Sequence, residues 1–199
     1  MTETATGTRD GRTIRAERTR EAVVEALLAL LDEGELSPTA ERVAQRAGVS
    51  ERSIFQHFGD REALFQAAGR RQYERVVPTL RPVDTGLPLD QRLEAFVAQR
   101  CRLFEQVKGV RRAALIKEHE SPSIAAWLEA ARKQKAIEVE RVFAQEIDAT
   151  PSGERDTVRA ALVAAAAWTS WENLRIQQQL GPEEACAAMR TALAALVGR

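Results

Sequence analysis

Two stop-and-restart devices lying close together constrain this chain more than anything else in it. Gly48-Val49-Ser50 and then Gly59-Asp60 each place a helix-ending glycine just before a residue whose side-chain oxygen accepts from the free amides of a new helix. The segment between them, Glu51 to about Phe58, has room for only a short helix. Before it, Val43, Ala44 and Ala47 share one face of a second short helix, from about Thr39 to Ala47. Two short helices joined by a tight turn are therefore predicted, with Gly48 permitting the reversal, Val49 plugging the crease and Ser50 capping the second helix.

The rest of the chain is punctuated in the same way. No stretch alternates apolar and polar residues with β-branched character, and all 7 prolines fall where helices should begin or end, so the fold is expected to be all-α. Nine helices are predicted. The first runs over 14–33, with Val23, Leu27 and Leu30 at core spacing and Gly34 as its stop. A fourth follows Asp60 to about Val77. The segment 77–88, with three prolines and a glycine, is the one good candidate for a boundary. Beyond it, helices are expected over 89–108 (closed by Gly109) and 111–118. A long helix opens at Ser121-Pro122 and reaches Ile147. The last two are expected over 151–179, after Thr150-Pro151-Ser152, and over 182–197.

Composition removes several classes of function. With 199 residues, 44% hydrophobic and 29% charged, the chain is an ordinary globular sequence able to bury a core. Its longest apolar run, Ala160 to Trp168, falls well short of a membrane span, and MTETATGTRDGR lacks the apolar segment of an export signal, so a cytoplasmic protein with no membrane partner is expected. With 2 histidines, no HExxH, no glycine-rich phosphate loop and no paired-cysteine motif, neither metal nor nucleotide chemistry has its parts. A di-iron bundle would need Glu-x-x-His, but Ile54 precedes His57 and Ile116 precedes His119 at that spacing. No enzyme, cofactor or metal is expected. Cys101 and Cys186 are too few for a disulfide framework; both are expected reduced and buried, and neither is read as a redox sensor.

The 29 basic and 29 acidic residues balance, so any nucleic-acid surface must be local. Arg9, Arg12, Arg15, Arg18 and Arg20 against Asp10 and Glu17 make one such basic stretch. The stretch 39–61, TAERVAQRAGVSERSIFQHFGDR, makes the other candidate. A helix pair of this kind either inserts the N-terminal end of its second helix into the major groove or serves as a plain packing unit. The run VxxxAGVSxxSIFxHFxDREALF resembles the N-terminal domain of the TetR family of transcriptional regulators, over about residues 14 to 75. The resemblance implies an N-terminal three-helix helix-turn-helix DNA-binding domain and a C-terminal helical ligand-binding and dimerisation domain. The corresponding division is a flexible basic arm over 1–13, the DNA-binding domain over 14–60, a connecting helix over 61–77 and the effector and dimerisation domain over 78–199. A homodimer on a palindromic operator in double-stranded DNA is implied, released by a small, largely apolar effector as a repressor would be.

By position, Arg52 and Gln56 are the candidates for base reading, arginine to guanine and glutamine to adenine. Glu51 either accepts from cytosine or pairs with Arg52 or Arg42. Thr39, Ser50, Ser53, His57 and Arg61 match positions resembling the family's phosphate contacts, and Arg42 is included in the DNA-binding set. His57 has a second reading, as a cap on the third helix. Phe55 stands where the family usually has a phosphate-binding tyrosine and is read as packing. Arg9, Arg12 and Arg15 are candidates for reaching the minor groove.

Phe104, Leu115, Trp127, Trp168, Trp171, Glu172 and Asn173 are the candidates for the effector pocket, since such cavities are apolar with a few aimed polar groups. Glu172 either favours a cationic ligand or pairs with Arg175. Ala185, Met189, Ala192, Leu193 and Leu196 on the last helix are the candidate dimer interface, to be buried in a four-helix bundle of two helices from each subunit, although a monomeric bundle would explain the same stripes. The rival reading is a helical scaffold or dimerisation protein that has lost specific DNA binding; an intact Arg52, Gln56, His57 and Arg61 set argues against it.

Overall fold

A computed structural model describes residues 6–198 of the chain, and among these every regular element is helical. The helices are α1 (Thr6–Asp32), α2 (Ala40–Ala47), α3 (Glu51–Phe58), α4 (Arg61–Val76), α5 (Leu89–Lys117), α6 (Pro122–Val142), α7 (Ala144–Ala149), α8 (Arg155–Ala165), α9 (Trp168–Glu172) and α10 (Pro182–Val197). A 3-10 turn over Val77–Thr79 follows α4, and a π-helical turn over Asn173–Gln177 follows α9. They form two compact units, Met1–Val77 with Lys108–Ile124, and Pro78–Val107 with Ala125–Arg199.

In the first unit α1 carries the core, with Val23, Leu27, Leu30 and Leu31 all but sealed from solvent. Against it pack Val43 and Ala44 of α2, Ile54 and Phe58 of α3, and Leu64 and Ala68 of α4. The helix begins at Thr6, so residues 6–13, expected as a flexible arm, continue α1. The minor-groove reach expected of Arg9 and Arg12 lies outside the described side chains. The segment Lys108–Ile124, expected in the C-terminal domain, also belongs to this unit. Two contacts show why. Lys117 lies 4.8 Å from the centre of the Phe65 ring, and Glu62 on α4 accepts from Ser121 at 2.6 Å and Ser123 at 2.8 Å. These serine hydroxyls hold the Glu62 carboxyl below the usual carboxylate range. Ser121 also caps α6, accepting from the Ile124 amide at 3.2 Å.

Gly109 does not stop a helix, and α5 continues through it, which merges two of the predicted helices. A Cβ there would sit 2.7 Å from the Leu31 carbonyl, so the glycine is required by close helix approach. The opposite happens later in the chain. The predicted helix over 151–179 divides into α8, α9 and the π-helical turn, and the helix from Ser121-Pro122 ends at Val142 before the short α7. At the first break Ala167 is extended (φ −79, ψ 159), and the Ala166 carbonyl accepts from Arg100 at 3.4 Å. A side chain distant in sequence therefore replaces a helical bond.

Two buried arginines organise the second unit. Arg92, 2% exposed, donates to the carbonyls of Leu87 and Val142 and to both oxygens of Glu146. Arg100, also 2% exposed, lies 4.6 Å from the centre of the Phe96 ring and pairs with Glu138 at 3.1 Å. Burial pushes its pKa down to about 10, with Glu138 opposing the shift. The proline-rich segment after α4 is held by donors: Arg141 bonds the Val83 carbonyl, and Gln145 that of Thr85.

Cys101 of α5 and Cys186 of α10 form a disulfide, with Cα atoms 6.0 Å apart, which corrects the expectation that both are reduced. The two helices run antiparallel, since Glu94 pairs with Arg190 as Cys101 pairs with Cys186. That register cannot be read from a separation of 85 residues.

Candidate nucleic-acid interface

The helix-turn-helix is built from local hydrogen bonds. Thr39 caps α2, its hydroxyl accepting from the Arg42 amide at 3.1 Å, and Ser50 caps α3 by accepting from the Ser53 amide at 3.2 Å. Between them Gly48 adopts a left-handed conformation (φ 69), and its amide and that of Val49 return to the last carbonyls of α2. Asp60 caps α4, accepting from the Ala63 amide at 2.8 Å. At the other end of α3, Arg20 donates to the His57 carbonyl at 2.8 Å and lies 4.6 Å from the centre of the Phe58 ring. The C-terminal cap weighed for His57 is thus supplied by Arg20, a residue that sequence reasoning had placed only in a basic stretch. The His57 side chain is half-buried.

With Ile54 and Phe58 turned into the core, α3 exposes Glu51, Arg52, Phe55 and Gln56. Ser53 is half-buried beside them. The basic residues of α2 are occupied: Arg42 pairs with Glu35 at 3.2 Å and donates to Gln45, and Arg46 pairs with Glu33 at 2.5 Å. Arg61 donates to the Pro38 carbonyl at 2.9 Å. Arg52, Gln56 and Glu51 differ, because their side chains form no hydrogen bond or ion pair among the described residues. The pairing of Glu51 with Arg42 or Arg52 is therefore not formed. Phe55 also departs from expectation: its ring is 44% exposed and is not core packing. Helical period alone leaves Phe55 between the two faces, since it lies three residues from both Arg52 and Phe58.

The candidate effector residues are only partly brought together. Phe104, Trp168 and Trp171 form a buried aromatic cluster in the second unit, with Phe104 5.4 Å from Trp168 and 6.0 Å from Trp171, ring centre to ring centre. The Trp168 indole N–H has no hydrogen-bond partner in this cluster. Trp127 is half-buried, Glu172 is half-buried and Asn173 is exposed. Leu115 belongs to the first unit. Arg175, weighed as a partner of Glu172, pairs with Glu105 at 3.0 Å.

On α10, Ala185, Met189 and Leu193 are buried in the chain's own core, which corrects their assignment to a surface for a second copy. The helical period turns them inward and leaves Ala192 exposed and Leu196 half-buried. A groove of about 340 Å³ runs along this face, walled by Ala165, Thr169, Asn173, Leu174, Ala188 and Ala192, with Met189 at its floor. Among the described residues no group of three or more metal-ligating side chains occurs, and no helix is long and apolar enough to cross a membrane.

The comparisons with known proteins agree with this geometry. Residues 23–68 match the model of bacterial regulatory proteins, tetR family. No curated protein matches the chain. Among solved structures, a transcriptional regulator from Rhodococcus sp. Rha1 is similar with a TM-score of 0.67 at 20% identity, over 92% of this chain and 96% of that one. A TetR-like transcriptional regulator from Rhodococcus sp. RHA1 is similar with a TM-score of 0.58 at 19% identity, over 93% and 97%. At such identities the likeness concerns the fold, and the match over 23–68 concerns the helix-turn-helix itself. Residues 23–68 therefore form a helix-turn-helix domain similar to that of the bacterial regulatory proteins of the tetR family, in a chain whose fold resembles that of solved transcriptional regulators.

Proposed function

We propose that the chain is a ligand-responsive repressor of the cytoplasm, which binds a palindromic operator as a homodimer and is released by a small-molecule effector. The observation that supports this most is the free set on α3. Arg42 and Arg46 meet carboxylates, whereas Arg52 and Gln56 keep their donors and acceptors unused on an exposed helix face. In this reading Arg52 bonds the O6 and N7 of a guanine, and Gln56 the N6 and N7 of an adenine. Glu51 accepts from a cytosine amino group, and Phe55 lays its ring against a thymine methyl. Thr39, Arg42, Ser50, Ser53, His57 and Arg61 contact phosphates and set the register. Arg61 spends one N–H on Pro38 and has others to offer.

For the effector, the Phe104, Trp168 and Trp171 cluster supports an apolar, aromatic-compatible ligand. The unpartnered Trp168 N–H supports one that carries an acceptor. For the dimer, the exposed face of α10 with Ala188, Ala192 and Leu196 replaces the inward residues as the contact. Selection of bound fragments from a random-sequence duplex pool tests the operator claim. The expected product is an inverted repeat whose half-sites lie about one helical turn, roughly 34 to 36 Å, apart. A pool that never converges would contradict the reading.

A further inference from the structure

We propose that Cys101 and Cys186 form a reversible thiol-oxidation site, at which a low-molecular-weight disulfide sets how firmly α10 is fastened to α5. The proposal rests on the reading above in placing the protein in a reducing compartment, where disulfides are seldom structural and are usually catalytic or redox-sensing, and in taking the outer face of α10 as the dimer contact. These are the only 2 cysteines of the chain, they lie 85 residues apart, and the fold brings them into a bond. Their burial differs: Cys101 is 6% exposed, whereas Cys186 is half-buried. Exchange needs one accessible sulfur, and Cys186 is the more exposed residue of the two.

The chemistry balances with a thiol and its disulfide as the only co-reactants. In reduction a thiolate attacks Sγ of Cys186, the protein S–S bond breaks, and Cys101 leaves as a thiolate that takes a proton. A second thiolate attacks the other sulfur of the mixed disulfide, so that the small disulfide forms and Cys186 is released as its thiol. Two electrons pass to the protein, and oxidation is the reverse.

The bond lies where it can matter. Its neighbour along the α5–α10 seam is the ion pair Arg190–Glu94, whose side chains are 44% and 68% exposed and so contribute little. The next, Arg175–Glu105, ties α5 to the π-helical turn before α10. The disulfide is thus the covalent tie to α5 of a helix that Ala185, Met189 and Leu193 also anchor in the core, and whose outer face, Ala188 and Ala192, walls the groove. Oxidation fixes that face and reduction loosens it.

The test uses the full chain equilibrated in glutathione buffers from fully reduced to fully oxidised, quenched by alkylation and weighed intact. One transition between two alkylated thiols and none is expected within that range. The oxidised form should melt about 5 to 15 °C higher. Cys101→Ser and Cys186→Ser should each abolish the transition and melt like the reduced wild type. The dimer dissociation constant, from sedimentation, should differ several-fold between the two forms. A disulfide that survives fully reduced glutathione, thiols that never pair in fully oxidised glutathione, or equal dimer constants in both forms would overturn the proposal. No step of this test uses DNA, so a protein that shows the transition yet binds no operator would refute the operator reading and leave the thiol site standing.

Discussion

The two units use arginine in opposite ways. Around the helix-turn-helix, Arg42 and Arg46 lie in exposed ion pairs and Arg52 is left unpaired, so the charges stay solvated and removable. In the second unit Arg92 and Arg100 are almost wholly buried, and each holds carbonyls that helices and loops have left open. A solvated guanidinium costs the fold little and is free to meet another molecule. A buried one has paid its desolvation and cannot leave its carboxylate without leaving a charge unmatched. The difference separates a surface kept available for a partner from a core in which polar side chains replace missing helical hydrogen bonds.

The most severe way to break this contrast is to remove Arg92. Arg92→Met should cost about 3 to 5 kcal/mol in urea unfolding, because Glu146 and two carbonyls lose their donor together. Arg42→Met should cost less than about 1 kcal/mol in the same assay. Equal costs would end the distinction. Next in size, Arg52→Ala should lose about 1 to 3 kcal/mol of binding on a selected operator while leaving stability within about 0.5 kcal/mol. If it destabilises the fold instead, Arg52 belongs with the structural arginines. Ser50→Ala should cost about 1 kcal/mol of stability through the lost bond to the Ser53 amide, and Ser50→Gly much less.

The smallest effect sharpens the contrast through pH. Hydrogen bonds from Arg75 and Arg71 hold the Glu25 carboxyl below its ordinary 4.5. A folded pKa below the unfolded one gives stability that is present above the unfolded value and lost as pH falls through the folded one. The stability gap between wild type and Glu25→Gln should therefore be a few tenths of a kcal/mol near neutrality and close below pH 4.5. A gap that widens in acid would mean that Glu25 does more than meet two exposed arginines.

What the sequence discloses follows the range of the interactions. The caps at Ser50 and Asp60 act on amides three residues away, and the left-handed Gly48 acts on the preceding turn; each sits where the pattern of residue types placed it, while Thr39, read as the first residue of its helix, is the cap before it. The exposure of Arg52 and Gln56 on α3 follows from helical period, whereas that of Phe55, midway between Arg52 and Phe58, does not. Gly109 shows where such reading fails, because its neighbour is Leu31 of another helix. Nothing in the alanine run 164–167 marks a break, since Arg100 is 66 residues from the carbonyl it holds. The inward turn of Met189 and Leu193 and the pairing of Cys101 with Cys186 likewise depend on which helix lies beside α10. An apolar stripe says that a face is covered, and leaves open whether its own chain or a second copy covers it.

The central claim is that α3 presents an unoccupied, sequence-reading face. Its most direct test is fluorescence anisotropy of the full chain on the duplex that it selects, over a salt series with random duplex as competitor. The account predicts tight, competitor-resistant binding that weakens steeply with salt, and an Arg52→Ala protein that no longer separates the selected duplex from random DNA. Equal affinity of the wild type for both duplexes at every salt concentration would contradict it.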